Sequence, residues 1–343
     1  MSKTLKYGVL GCLLGFFAFS KCDILPSEYS KVVTDTVRVS DTIVVGATDT
    51  VNYVVIDTVL STIIDTIKGE KIDTVKVTIT ETIKITVPCY ISDLCAFIPI
   101  DNLEMPAIRE NDEIVSHIGY SLLFNDAHKQ PDWVAYILTS KKTIPVVARK
   151  NNFRPDPAVK TGTAVKEDYA NSGFDRGHLA PCADMRWSQQ AMDESFFFSN
   201  MSPQVPALNQ VTWEKLEELV RVWAKEYDTL YIATGPVLRD GLPAIADVIS
   251  EDKKEKYKPK NKVTVPEYYY KVILNYTSKE IKGIGFIVPN QAGLGKAIET
   301  IQSYAVTIDS VQNLTGINFF YQLPKVQEEC AEKNVCISCW KWK

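Results

Sequence analysis

Two patterns of apolar and polar positions divide the chain. Between Lys31 and Pro88 the pattern is a repeat: Asp-Thr followed by Val or Ile begins at Asp35, Asp41, Asp49, Asp57, Asp65 and Asp73, and Glu81-Thr82-Ile83 continues it. After a first interval of six residues, every step is eight. Strand side chains alternate faces, so even steps put each acid on the same face as Val37, Ile43, Val51, Val59, Ile67, Val75 and Ile83. An acid recurring on an apolar face interrupts what would otherwise be a long aggregation-prone strand. The pattern predicts an extended surface stalk. An unstructured low-complexity linker and an adhesive or self-associating β-module are the two other readings it permits.

From about Cys95 onward the pattern becomes that of a folded core. "DWVAYILT" (132–139), "TLYIATG" (229–235), "YYYKVILN" (268–275) and "IKGIGFIVP" (281–289) are β-branched and aromatic runs bounded by Pro, Gly, Asp or Asn, and they predict strands. "LNQVTWEKLEELVRVWAKEY" places Leu208, Trp213, Leu216, Leu219, Val220, Trp223 and Tyr227 at helical spacing. The three phenylalanines before Asn200 read as a further buried strand. Strands and one strong helix in irregular order predict an α+β core rather than a βαβ series.

Charge narrows the possible partners. With 38 Lys+Arg against 42 Asp+Glu the formal net charge is −4, so the chain lacks the global basic excess of a protein that coats nucleic acid, and any polyanion site is local. The N-terminus carries Lys3 and Lys6, an apolar run from Tyr7 to Phe19, then Ser20-Lys21-Cys22. That layout predicts an export signal, with Cys22 as the lipid attachment point of a bacterial lipoprotein, although Phe19 and Lys21 depart from the usual small-residue lipobox; ordinary cleavage near Ser20 and an uncleaved anchor are the alternatives. The expected locations are the cell surface or outer membrane, the periplasm, or the medium. Six further cysteines then lie in an oxidising compartment, where Cys89 with Cys95 and one pairing among Cys330, Cys336 and Cys339 close the shortest loops. Three tail thiols without a histidine make a poor zinc site.

Candidate chemistry gathers around "SGFDRGHLAP" (172–181), which holds one of the chain's three histidines. Gly177 is expected to let the backbone turn, and His178 to sit at a strand end facing a cleft. Asn209 opens the amphipathic helix, and Glu217 follows eight residues later, about 12 Å along the axis on the same face. These residues suit phosphodiester hydrolysis. A histidine titrates near neutrality and can deprotonate water, Mg²⁺ takes few protein oxygens and keeps its waters, and arginine grips phosphate in a bidentate fashion. Singly each has a plain reading: a structural histidine, a helix cap, a solvated helix face. His117, in "IVSHIGYSLLF", reads as a satisfied core residue, and His128 as a loop residue. "TGPV" followed by "LRDG" reads as a turn.

"DRGHLAP", "SNMSPQ" and "LNQVTWEKLE" together resemble the DNA/RNA non-specific endonucleases, a family of ββα-metal (His-Me finger) nucleases. The likeness runs from "HIGYSLLFND" and "WVAYILT" through "NNFRPDP" and "ATGPV" to "NLTGINFFYQLP", roughly residues 110–325. The resemblance implies a ββα-metal domain with a mixed or antiparallel sheet, DNA and RNA as substrates, and Mg²⁺, with Mn²⁺ or another divalent cation as substitutes. It also implies roles. His178 is the general base, Asn209 the metal ligand, and Glu217 the acid that holds the waters around the metal. Arg176 orients the phosphate, Asp175 buttresses the loop and Asn200 supports the site. An arginine ahead of "NNFRPDP" is required as well; Arg149 is the choice, Arg154 the competitor and Lys150 a poor substitute. Cys182 stands where a small residue is expected, which implies packing or a disulfide, and Gln312 stands where an acid is more usual.

The expected organisation is a signal over residues 1–22, a repeat stalk or linker over 23–94, and an endonuclease domain over 95–343. The expected function is that of an exported Mg²⁺-dependent, sugar-nonspecific endonuclease. A catalytically inactive nucleic-acid-binding module and a surface adhesin are the competing functions.

Overall fold

In the computed structural model the chain divides into two units, Met1–Val87 and Pro88–Lys343. The structure describes residues 98–278 and 280–342, together with four strands of the first unit. Those four are β1 (Val32–Val37), β2 (Thr42–Ile43), β3 (Val54–Val55) and β4 (Val59–Ile64). They pair among themselves, β1 with β4 and β2 with β3, both antiparallel. These parts of the repeat are extended, and each finds its partner in another part of the same repeat. The rest of the repeat, the Tyr7–Phe19 run, Cys22 and the Cys89–Cys95 pairing lie outside the described residues. Among the described residues no helix is long and apolar enough to cross a membrane.

The second unit is built on β5 (Ile114–Ser116), β6 (Ser121–Asn125), β7 (Gln130–Thr139), β8 (Asp175–His178), β9 (Met201–Gln204), β10 (Thr229–Pro236), β11 (Tyr268–Tyr276), β12 (Ile281–Pro289) and β13 (Ala305–Val306). Seven of these form one sheet in the order β13-β12-β11-β10-β7-β6-β5, every neighbouring pair antiparallel. All four strand-like runs of the sequence are strands. Alternation sends Val134, Tyr136 and Leu138 of β7 to one face and Trp133 and Ala135 to the other.

The first face is covered by α2 (Glu214–Tyr227) through Leu216, Leu219, Val220, Trp223 and Ala224. The second is covered by α3 (Ile308–Thr315) and α4 (Lys325–Lys333) through Ile308, Val311 and Ala331. A short α1 (Gln189–Glu194) precedes the phenylalanines. Phe196, Phe197 and Phe198 are buried but form no strand. Phe198–Asn200 is a 3₁₀ turn and β9 begins at Met201, because the chain must bend between α1 and β9, and burial rather than β propensity decides these residues.

Cys336 and Cys339 are disulfide-bonded to each other, the expected pairing within the tail, and Cys330 is also disulfide-bonded, so the tail holds no thiol zinc site. Cys182 is a free, buried cysteine; packing is its role. Gln312, on α3, donates to Glu332 at 3.0 Å and accepts from the Phe319 N–H at 2.8 Å, tying α3 to α4 and to the loop that follows it.

Candidate active site

Strands β8 and β9 form a separate two-stranded antiparallel ribbon, with Asp175 opposite Gln204, Gly177 opposite Ser202 and His178 opposite Met201. Gly177 is not a turn residue. It lies within β8 at an ordinary φ, and a Cβ there would collide with the Gln204 side chain; the glycine is needed for close approach. His178 is the last residue of β8, as expected, and lines a cleft of about 840 Å³. The segment that follows it is clamped by Asn200. The Asn200 Oδ1 accepts from Ala180 N at 2.9 Å, its Nδ2 donates to Ala180 O and Ser195 O, each at 2.9 Å, and its carbonyl accepts from Leu179 N at 3.1 Å. Asn200 is fully buried and does not reach the cleft; it belongs to the support of the site, not to its working surface.

The ring of His178 is walled by Phe153 and Phe196, with centroids 5.7 Å and 4.8 Å away. Its Nε2 is buried without a hydrogen-bond partner among the described residues. Burial, with the positive charges of Arg149 and Arg176, pushes the imidazole down to about 3, so it is neutral at physiological pH; an anionic phosphate beside the two arginines would offset part of what holds it down. Arg176 stacks over Phe153 at 4.0 Å. Arg149 is exposed on the cleft wall, with its Cζ 5.7 Å from the Phe196 centroid and its Nε donating to Asn151 Oδ1 at 3.1 Å. Arg154 is placed differently. Its Nη1 donates to the Asn152 and Asp193 carbonyls at 3.0 and 2.7 Å, its guanidinium lies 4.0 Å from Phe197, and it does not line the cleft. Of the two arginines weighed from the sequence, the structure puts Arg149 with His178.

Asn209 is neither a cap nor part of a regular α-helix. It lies in a π-helical turn, Leu208–Trp213, that runs into α2. Such turns change the angular phase of the residues they carry, so Asn209 and Glu217 are not related by plain α periodicity. Both nonetheless line the same cleft. Asp175 Oδ2 accepts from Asn209 Nδ2 at 2.9 Å and from Gln210 Nε2 at 2.7 Å. A carboxylate can only accept, so it fixes the Asn209 amide with its NH₂ toward Asp175 and leaves the amide oxygen for another partner. Asp175 therefore buttresses the π turn as well as its own strand.

Beneath Glu217 lies a charged cluster that the motifs did not reveal. Arg221, one turn further along α2, pairs with the fully buried Asp184 at 3.0 Å, and the Tyr136 hydroxyl donates to the other Asp184 oxygen at 3.0 Å. Lys271 projects from β11, is fully buried, and stands 5.0 Å from the Trp213 ring; its Nζ has no hydrogen-bond partner among the described residues. Burial raises the Glu217 carboxyl and lowers the Lys271 ammonium, while each favours the charged form of the other. A lone lysine inside the apolar run "YYYKVILN" was the one signal of this cluster available from sequence.

Among the described residues no three His, Cys, Asp or Glu side chains converge as a metal cage. The donors present, the Asn209 amide oxygen and the Glu217 carboxylate, are hard oxygens and few. They suit a cation such as Mg²⁺ that keeps most of its own water. The other histidines are accounted for elsewhere. His117 lies just past β5 and binds Asp156 at 2.8 Å; His128, in the β6–β7 turn, bonds Thr264 at 2.9 Å.

Comparison with known proteins bears on this geometry. Residues 104–326 match the family model described as DNA/RNA non-specific endonuclease. The chain is 39% identical over 173 residues to "Endonuclease G, mitochondrial" of Homo sapiens, covering 50% of this chain and 57% of that protein. It is 34% identical over 216 residues to "Nuclease EXOG, mitochondrial" of Danio rerio, covering 62% of each. The chain thus spans about three fifths of the length of these relatives. Among solved structures, one titled "Crystal structure of the EndoG/EndoGI complex: Mechanism of EndoG inhibition" superposes with a TM-score of 0.55 at 28% identity, over 65% of this chain and 90% of that one. The α+β, ββα-metal architecture is shared with it.

Proposed function

The chain belongs to the DNA/RNA non-specific endonuclease family, and from that premise we propose that it hydrolyses phosphodiester bonds of DNA and RNA with a divalent cation, Mg²⁺ in the first instance. One observation carries the reading: a single cleft gathers a neutral imidazole, two arginines, an oriented amide oxygen and a carboxylate, namely His178, Arg149, Arg176, Asn209 and Glu217.

Nε2 of His178 is shielded from solvent, so the imidazole meets the attacking water through Nδ1. As the water oxygen bonds to phosphorus, its proton passes to Nδ1; the ester P–O bond breaks, and the departing oxygen is protonated from solvent. Arg149 and Arg176 hold the non-bridging phosphate oxygens as charge builds on them. Asn209 and Glu217 would hold the divalent cation and its waters, and when bound it supplies positive charge to the phosphate and the departing oxygen. Asn200 and Asp175 keep the two halves of the site in register. Recognition through phosphate and imidazole chemistry reads neither base nor sugar, in keeping with substrates of both kinds. Export with attachment through Cys22 belongs to the same proposal, supported by Lys3, Lys6 and the apolar run before Cys22; labelling with a palmitate analogue should mark the wild type and not Cys22→Ser.

The test is cleavage of plasmid DNA and of RNA by the full chain. EDTA should silence both activities and added Mg²⁺ should restore them. Asn209→Ala should lose rate, part of which returns as Mg²⁺ is raised. Activity untouched by EDTA overturns the mechanism, and absence of cleavage with any divalent cation passes the case to a non-catalytic binding module or an adhesin.

A further inference from the structure

A second cavity, of about 480 Å³, adjoins the catalytic cleft and shares Ala183 and Arg221 with it. It continues from Arg221 along the outer side of α2. Three cationic side chains line it, Arg186, Arg221 and Lys225, against one carboxylate, Glu218, and Lys215 already neutralises Glu218 at 3.0 Å. Lys225 lies one helical turn beyond Arg221, is exposed, and makes no ion pair among the described residues. Arg186 is fixed in place. Its Nε donates to the Val147 carbonyl at 2.9 Å, while its own carbonyl accepts from Val146 N and Val147 N at 2.8 and 3.1 Å. Pro145 and Val222 supply the apolar part of the wall.

A net positive, partly apolar cavity continuous with a phosphodiester site has the chemistry of a nucleotide: an anion joined to a flat ring and a sugar. The step of four residues from Arg221 to Lys225, about 6 Å along the helix, is comparable with the spacing of phosphates along an extended single strand. Arg221 is committed to Asp184, which leaves Lys225 and the free edge of Arg186 as the phosphate holders. We propose that this cavity is a nucleotide subsite beside the scissile position, in which Lys225 and Arg186 hold the neighbouring phosphodiester of a polynucleotide and Pro145 and Val222 meet its sugar or base. The subsite rests on the phosphodiesterase reading of the cleft. It makes polynucleotides better substrates than an isolated diester, and it guides the strand across α2.

The experiment compares single-stranded DNA with bis(p-nitrophenyl) phosphate, a diester too small to reach both cavities, using the full chain. Lys225→Glu should raise KM on the polynucleotide about tenfold or more with kcat little changed, so that the ratio of kcat/KM on polynucleotide to that on the small diester falls by the same factor. Lys225→Ala should lower the salt slope of polynucleotide binding by about one. Glu218→Gln, in the same wall, should act in the opposite direction and lower KM. Lys333→Glu, on α4 at the far face of the sheet, changes the same charge elsewhere and should leave the ratio unchanged. Equal losses on both substrates, or a polynucleotide KM unmoved by Lys225→Glu, would overturn the subsite. Wild type that cleaves neither substrate would refute the phosphodiesterase reading instead. In that case the affinity of a short fluorescent oligonucleotide for wild type against Lys225→Glu still decides the subsite, since equal affinities reject it.

Discussion

Two histidines of the domain pack against neighbouring phenylalanines and are bonded in opposite ways. His117 lies 5.1 Å from the Phe197 ring and His178 lies 4.8 Å from the Phe196 ring. Around His117 the polar groups find one another. Its Nε2 binds Asp156 at 2.8 Å, Ser199 Oγ donates to the same carboxylate oxygen at 2.5 Å, and the Ala158 N–H donates to the other at 2.9 Å. Around His178 they do not: Nε2 is buried unpaired, and the nearest charges are two arginines that favour its neutral form. Buried polar groups are normally satisfied; here, among the described residues, Nε2 is closed off unpaired, no carboxylate holds the ring, and the imidazole lines a cleft, a departure of the kind that functional sites show. The His117 region is closed by its own hydrogen bonds, and the His178 region is the one to which the proposed function assigns the chemistry.

The comparison breaks most sharply under mutation. His178→Ala should lower kcat on DNA by about 10² to 10⁴, the usual contribution of a general base, with the melting temperature nearly unchanged. Asp156→Ala should do the reverse. It strips a buried carboxylate from three donors and should cost about 3 kcal/mol by chemical denaturation, while kcat of the folded fraction stays close to wild type. A His178→Ala variant with wild-type turnover, or an Asp156→Ala variant that is stable but inactive, would exchange the two roles.

Asn200 lies between the regions and sharpens the contrast. Two of its three side-chain hydrogen bonds hold Ala180, in the segment after His178, and the third holds Ser195, so Asn200→Ala should lose about 1–3 kcal/mol of stability and also about tenfold in kcat. A loss confined to stability would mean that the clamp does not set the position of the imidazole. His117→Ala should be milder, about 1–2 kcal/mol with no change in kcat, read by urea unfolding and by turnover at low temperature.

Much of this contrast could be read in the sequence, and the unread part has physical causes. The four strand runs and the amphipathic helix were legible because burial on a sheet face or a helix stripe imposes periods of two and 3.6. His178, Asn209 and Glu217 stood out as residue types, Asp175 only through the resemblance carried by "DRGHLAP", and the structure lines one cleft with all four. The π turn under Asn209 was not, because no local propensity marks it and it is held in place by Asp175 from another strand. The phenylalanines before Asn200 misled because aromatic residues favour strands, whereas here they fill the walls around His117 and His178 within a turn. Gly177 serves close approach to Gln204, a cross-strand contact that a linear reading cannot place. Asp184, Arg221 and Lys271 meet only once the sheet and α2 are stacked.

A pH dependence, with a slope of at most one proton, separates the regions as well. In the folded chain His178 is held down to about 3, while in the unfolded chain it titrates near 6.5. Between those values the unfolded chain binds a proton that the folded chain refuses. The stability this site contributes is therefore complete above about pH 6.5 and declines as pH falls toward about 3. Asp156 behaves otherwise. Burial alone would raise its carboxyl, but hydrogen bonds from His117, Ser199 and the Ala158 N–H outweigh burial and hold it below the ordinary range. Its contribution persists until pH falls below about 3.9, the unfolded value. Acid unfolding of metal-free protein should thus show the His178 region first and the Asp156 region later. His178→Phe, which keeps a ring between Phe153 and Phe196, should flatten the decline between about pH 6.5 and 4 and leave the steeper loss below it. Asp156→Asn should lower stability throughout without flattening that upper limb. A His178→Phe variant with the full wild-type slope between pH 6.5 and 4 would show that the imidazole is freely protonated in the folded chain, and the distinction drawn between the two histidines would then fail at its most basic point.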